Sequence, residues 1–213
     1  MNREKLIRKF DRQSDLYVVR RKKQTERQWR ERLIRDASGR ILEVAVGAGA
    51  NFPYYPPGTD LTAADFSPGM LDKARAAAAD YGLHPTFIHA DVESLDFADH
   101  AFDTIVSTLS FCGYDDPTRV LKLFNRWCKP DGRILMMEHG ISPSRIVGLM
   151  QKGVNPLFKR MVGCNLDRDI VGIVRSQLVI EKMEAHMIGA VRLIWAKPRL
   201  LGYNGAAAYA PGV

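Results

Sequence analysis

Glu43, Gly47, Gly49, Asp65, Asp91 and His139 are the residues whose types and spacing could do chemistry. Glu43 lies in an apolar run, Ile41-Leu42-Glu43-Val44-Ala45-Val46, and Gly47 and Gly49 follow at once. A buried strand that enters a glycine turn lets a ligand approach the backbone with no Cβ in the way. Asp65 ends a second strand-like stretch, Leu61-Thr62-Ala63-Ala64, where an acid can accept from ribose hydroxyls. Asp91 follows a third. His139 follows Met136-Met137-Glu138, where an imidazole can take an acid–base or orienting role. Cys112, Cys128 and Cys164 show no CxxC or Cys/His ligand spacing, so neither a metal site nor a disulfide framework is expected.

Strand ends must converge for these residues to meet. Helices are expected over 2–13 and 20–36, from Leu6, Ile7, Phe10, Trp29, Leu33 and Ile34 at helical spacing, with a break or bend at Ser14–Val19. Beyond Gly39 the pattern alternates. Strands are predicted at 40–46, 60–65, 85–90, 102–108, 133–138, 178–186 and 189–197. Helices are predicted from Pro68 to about Ala79 with Ser67 as its cap, at 117–128 capped by Asp116, at 143–163 interrupted at Pro156, and at 167–177. Pro130-Asp131-Gly132 is a turn signal. Such alternation predicts an α/β fold: a seven-stranded, mostly parallel sheet, helices on both faces, and the last two strands as an antiparallel edge hairpin. Residues 1–37 would form a basic helical cap, 38–198 the main domain and 199–213 a loose tail.

The 213 residues carry a formal net charge of +7, unevenly placed. Residues 1–40 hold 14 Lys/Arg against 6 Asp/Glu, and the rest hold 17 against 18. The basicity belongs to the first helices, which suits an anionic surface or ligand as well as it suits a solvated helix face. No apolar run approaches the ~20 residues of a membrane span, and no signal-peptide core follows Met1. A cytoplasmic setting, with peripheral attachment to a membrane, is the expectation.

Three ligands compete for the glycine turn. A P-loop needs GxxxxGK[ST], which does not occur. A dinucleotide turn needs GxGxxG, but Phe52 stands at the third glycine and Pro53 follows. S-adenosylmethionine has no phosphate and needs backbone approach, an acid for the ribose and a polar residue near adenine.

The runs ILEVAVGAGANF, AADFSPGMLDKARA, HADVESLDF, FDTIVSTLSF and KPDGRILMMEH, in that order, resemble the class I S-adenosylmethionine-dependent methyltransferases, with their Rossmann-like fold, across about residues 38–198. Within that superfamily the chain is similar to the ubiquinone/menaquinone-biosynthesis C-methyltransferases and bacterial phosphatidylethanolamine N-methyltransferases. GANFPYYPPG, MEH and GCNL resemble the thiol methyltransferases. The family motif (D/E)xGxGxG has Ala45 at its first glycine here. The resemblance implies that Gly47, Ala48 and Gly49, with Ala45 before them, wrap the methionine part of the cofactor. Glu43 would help hold its amino group, and Asp65 the ribose hydroxyls. Phe66 and Met70 would lie on adenine, Asp91 and Val92 at its edge, and Ser107, Thr108 and Leu109 beneath the sulfonium. S-adenosylhomocysteine would be the product. His139 is the first candidate for catalysis. Tyr17 resembles a lid tyrosine, though Val18 stands where the family has Asp. Cys112, Tyr114 and His139 would line the acceptor pocket, while Cys164 and Asn165 read as structural and His89 as a packing residue.

Methyl transfer needs alignment and exclusion of water more than it needs a base. The acceptor is therefore read from the cap. Basic helices and the apolar 143–163 stretch suit a small lipophilic acceptor, an amino-phospholipid, quinone or thiol, with 143–163 walling its pocket and an anionic membrane surface nearby. A nucleic-acid methyltransferase would need a flipped-base NPPY-type motif, which does not occur. A non-catalytic partner protein is the other alternative.

Overall fold

The computed structural model describes residues 3–23, 26–161 and 164–199. The tail expected at 199–213 lies outside them, Arg199 excepted. Seven strands, β1 (Ile41–Val44), β2 (Leu61–Asp65), β3 (Thr86–His89), β4 (Phe102–Thr108), β5 (Cys128–His139), β6 (Leu178–His186) and β7 (Val191–Pro198), form one sheet in the order β3-β2-β1-β4-β5-β7-β6. β1 to β5 run parallel, and β7 runs antiparallel between β5 and β6. The chain winds outward from β1 to β3, then crosses back to β4. The carboxyl ends of β1 and β4 are therefore the switch point where such sheets bind ligands.

Alternation along the strands divides the core in two. Ile41, Ala63, Val106, Leu135 and Met137 face α2 (Arg27–Ile34) and α3 (Pro68–Asp80), meeting Leu33, Ile34, Leu71 and Ala74. Leu42, Val44, Ile105, Ile134 and Met136 face α4 (Pro117–Trp127) and α6 (Ile170–Gln177), meeting Leu121, Phe124, Trp127 and Val174.

Three local expectations are corrected. Ser14–Val19 does not break the first helix: α1 runs unbroken from Arg3 to Lys23. Low-propensity residues within it cost only a few tenths of a kcal/mol each, and this stretch is docked: Ser14 is buried and Asp15 pairs with Lys73 at 2.6 Å. Pro156 does not interrupt α5 (Arg145–Met161). The carbonyl that loses its donor belongs to Lys152, an exposed residue that water can serve. Pro130–Gly132 does not precede β5 but forms an excursion within it: Phe102 pairs with Cys128, then Thr104 with Arg133. A Cβ at Gly132 would lie 2.7 Å from Cys128 Sγ and 2.8 Å from the Asp103 carbonyl, so glycine is required there.

Candidate active site

The turn after β1 passes through left-handed backbone three times, at Ala45 (φ 50°), Gly47 (φ 55°) and Gly49 (φ 76°). At Gly49 a Cβ would collide with Phe52 at 2.7 Å. At Gly47 it would meet only the Tyr17 ring, at 3.9 Å, so an open cradle lies beneath that ring. Ala45 adopts the same hand at a cost of roughly 1–2 kcal/mol, which is the physical reason for glycine at that place in the family motif.

Glu43 is fully buried beneath the turn. Asn51 Nδ2 donates to one of its oxygens at 2.9 Å and the Tyr55 hydroxyl to the other at 2.8 Å. Burial pushes its carboxyl up to about 7 against these bonds. From α2, the buried Arg30 donates to Asn51 Oδ1 at 2.8 Å and to Thr108 Oγ1 at 3.1 Å, while gripping Glu26 at 2.6 Å. One chain of bonds thus links the ends of β1 and β4 to the cap.

At the end of β2, Asp65 accepts from Gly47 N–H at 2.8 Å and from Ser67 N–H at 2.9 Å. Burial raises its carboxyl to about 6. Ser67 Oγ accepts from Met70 N–H and caps α3, and it donates to Asp11 of α1 at 2.6 Å. Asp11 also accepts from Gly69 N–H at 3.0 Å, a carboxylate placed at the positive end of α3. Arg21 reaches the Ala48 carbonyl, and Phe10 meets Phe66 edge-on at 5.4 Å. These contacts lay α1 over the turn. Tyr17, half-buried there, has its hydroxyl pushed up to about 12, chiefly by burial. Met70 and Val92 are buried, and Asp91 accepts from Glu93 N–H to cap a short 3-10 turn at Val92–Ser94. His89 does not pack inside as expected. It is exposed at the end of β3, an edge strand, with a ring nitrogen 3.1 Å from the Phe66 carbonyl.

Beyond β4 a second buried acid organises the chain. Glu138 accepts from Ser107 Oγ at 2.8 Å, Ser110 N–H at 2.9 Å and Phe111 N–H at 3.0 Å. Burial pushes it up to about 7. The loop it grips contains Leu109, left-handed at φ 57°. Leu109, Trp29, Met137, His139, Met187 and Val191 line a cavity of about 350 Å³, with Glu26 at its edge. Burial lowers the His139 pKa, so its ring is held neutral. Cys112 is buried with its sulfur 3.2 Å from that of Cys164, both free thiols. The Cys112 carbonyl accepts from both the backbone and side chain of Asn165. Tyr114 packs edge-on against Phe111.

Residues 42–136 match the family described as a methyltransferase domain. Phosphatidylethanolamine N-methyltransferase of Cereibacter sphaeroides is 36% identical over 103 residues, 47% of this chain and 51% of that protein. Thiol S-methyltransferase TMT1B of Rattus norvegicus is 31% identical over 164 residues, 74% of this chain and 63% of that protein. Among solved structures, geranyl diphosphate C-methyltransferase of Streptomyces coelicolor, crystallised with S-adenosyl-L-homocysteine, superposes with a TM-score of 0.63 at 15% identity, covering 82% of this chain and 76% of that one. Residues 42–136 carry a methyltransferase domain of the class I, S-adenosylmethionine-dependent kind. The chain spans between about half and two thirds of the length of these two sequence relatives.

The residues proposed from sequence fall into two groups. Gly47, Ala48, Asp65, Phe66, Met70 and Tyr17 converge around the first turn, where α1 meets α3. Thr108 joins them through Arg30 and Asn51, whereas Ser107 is held by Glu138 and Leu109 lines the cavity. His139 lies across Leu109 in the cavity, whereas Cys112 and Tyr114 are not among the residues that line it. Sequence reasoning passed over Arg30, Asn51, Tyr55 and Glu138. Glu138 carried a usable signal, since an acid directly after the apolar run Ile134–Met137 belongs to a strand whose surroundings are buried. Arg30 carried none, being one of 14 basic residues in the first 40.

Proposed function

We propose that the methyltransferase domain moves a methyl group from S-adenosylmethionine to a small lipophilic acceptor held beside His139. The observation that carries this is the open cradle at Gly47, roofed by Tyr17 and floored by a buried Asp65 that still has lone pairs to offer. The cofactor supplies a methyl already activated on a sulfonium. Gly47, Ala48 and Gly49 would approach its methionine part. Asp65 would accept from the ribose hydroxyls, and Arg30 brings a buried positive charge for the carboxylate. Phe66, Met70, Val92 and Asp91 would enclose adenine. Ser107, Thr108 and Leu109 would hold the acceptor side of the sulfonium, with Leu109 shared between the two sites.

The cavity lining is apolar apart from His139 and Glu26. It suits the hydrophobic body of a thiol, quinone or amino-lipid, the substrate classes named for the relatives. A neutral His139 can take the proton that a thiol loses as its sulfur attacks, or the proton that an ammonium must lose before its nitrogen has a lone pair to attack with. The basic α1 suits delivery from an anionic membrane, and no described helix is long and apolar enough to cross one.

Calorimetric titration with S-adenosylmethionine and S-adenosylhomocysteine tests this directly. Micromolar binding is expected for the wild type, and loss in Asp65→Ala. Folded wild-type protein that binds neither compound would sink the proposal. Methyl transfer to a thiol, quinone and amino-lipid panel, compared between wild type and His139→Ala, then assigns the acceptor.

A further inference from the structure

Helix α5 is docked the opposite way round from a core helix. Its polar residues face the protein: the Gln151 amide donates to the Gly140 and Leu166 carbonyls at 3.1 and 3.2 Å and accepts from Ser142 N–H at 2.7 Å. Asn155 donates to Asp167 at 2.6 Å and accepts from Leu166 N–H at 2.8 Å. The apolar residues face out, with Ile146 75%, Leu149 73%, Met150 65% and Leu157 59% exposed, and Val154 and Phe158 beside them. Their spacing places all six on one stripe. The expected role of 143–163 as a pocket wall is thereby corrected, because the side that could wall a pocket is the polar one.

Charge borders the stripe. Arg145, Lys152 and Lys159 recur at seven-residue intervals along one edge, Arg160 joins them, and α5 contains no acid. At one end, Ser142 Oγ donates to the Ile188 carbonyl, which sets the β6–β7 tip beside the start of α5. That tip adds exposed Met187 and Ile188. An apolar stripe edged by cations is the pattern of a helix that lies in a bilayer interface. A second copy of the chain is the poorer occupant, since an isologous pair would bring two acid-free cationic helices together.

We propose that α5 and the β6–β7 tip seat the protein on an anionic lipid bilayer, with the stripe at the acyl boundary and the cations among the headgroups. Met187 belongs both to this surface and to the His139 cavity, so the seat opens the cavity towards lipid. That last link rests on the methyl-transfer reading, while the docking itself does not.

Flotation of the full chain with vesicles tests it, using phosphatidylcholine and phosphatidylglycerol in equal parts against phosphatidylcholine alone. Wild type is expected to float with the anionic vesicles. Leu149→Glu/Leu157→Glu should bind at least roughly tenfold less, and Lys152→Gln/Lys159→Gln should lose binding in part. High salt should weaken wild-type binding. A double glutamate variant that floats like wild type would overturn the proposal. So would a wild-type dimer, dissociated by the same changes, that ignores vesicles. S-adenosylmethionine titration of each variant reports folding. Absent cofactor binding in every form would strike the methyltransferase reading and leave the flotation result standing.

Discussion

Glu43 and Glu138 lie on β1 and β5, the two neighbours of β4, on opposite faces of the sheet and three residues out of register, and they hold different things. Both are fully buried and both carboxyls are pushed up to about 7 by burial. Glu43 receives side chains, the Asn51 amide and the Tyr55 hydroxyl. Glu138 receives two backbone N–H groups and the hydroxyls of Ser107 and Ser110. A side chain that loses its acceptor can rotate towards another partner, but a backbone N–H on a fixed loop cannot. The region around the glycine turn is therefore held by an adjustable network, and the region around the Leu109 loop by a clamp on the chain itself.

Truncation breaks this comparison most directly. Glu138→Ala strands donors that cannot move and is expected to cost about 3 kcal/mol in chemical denaturation. Glu43→Ala should cost less, roughly 2 kcal/mol. Equal costs, or the reverse order, would show that the two acids do the same job.

Acidity tests what the two sites share. Both carboxyls, and Asp65 at about 6, titrate in the folded protein above their ordinary values of 4.5 and 3.8. The folded state therefore binds more protons than the unfolded chain between those limits. The stability these groups contribute is complete below their ordinary values and is lost as pH rises through about 6 to 7. Thermal midpoints should fall from mildly acidic to mildly alkaline buffer, and Glu43→Gln or Glu138→Gln should flatten that fall. A midpoint that rises over the same range would contradict the burial argument.

The smallest effect lies in the turn. Ala45→Gly removes left-handed strain at the cost of some unfolded-state entropy, for a net gain of about 0.5–1 kcal/mol in denaturation. Unchanged or reduced stability would mean that the turn accommodates alanine without strain.

The strand succession and the edge hairpin were legible because buried parallel strands must be apolar and Gly, Pro and Asp mark where they stop. The glycine turn and Asp65 were legible because their chemistry is local to a strand end. Arg30 was not, since its partners Asn51 and Thr108 lie 21 and 78 residues away. Nor was the approach of Cys112 to Cys164, 52 residues apart. Periodicity identified the stripe on α5 but not its direction. It says which residues share a face, and the bonds of Gln151 and Asn155 decide which face turns inward.

Asp11 sits on the first turn of α3 and Asp15 on Lys73, so α1 is fastened by charge and hydrogen bonds rather than by a deep apolar seat. On the proposed reading, a cofactor resting against Gly47 would lie under Tyr17 and would leave as that fastening opens. Its residence time then depends on ionic strength, with salt loosening the Asp15–Lys73 pair and hastening exchange. On the proposed reading, the escape of spent cofactor, and with it the pace of each cycle, is governed at a helix that forms no part of the sheet.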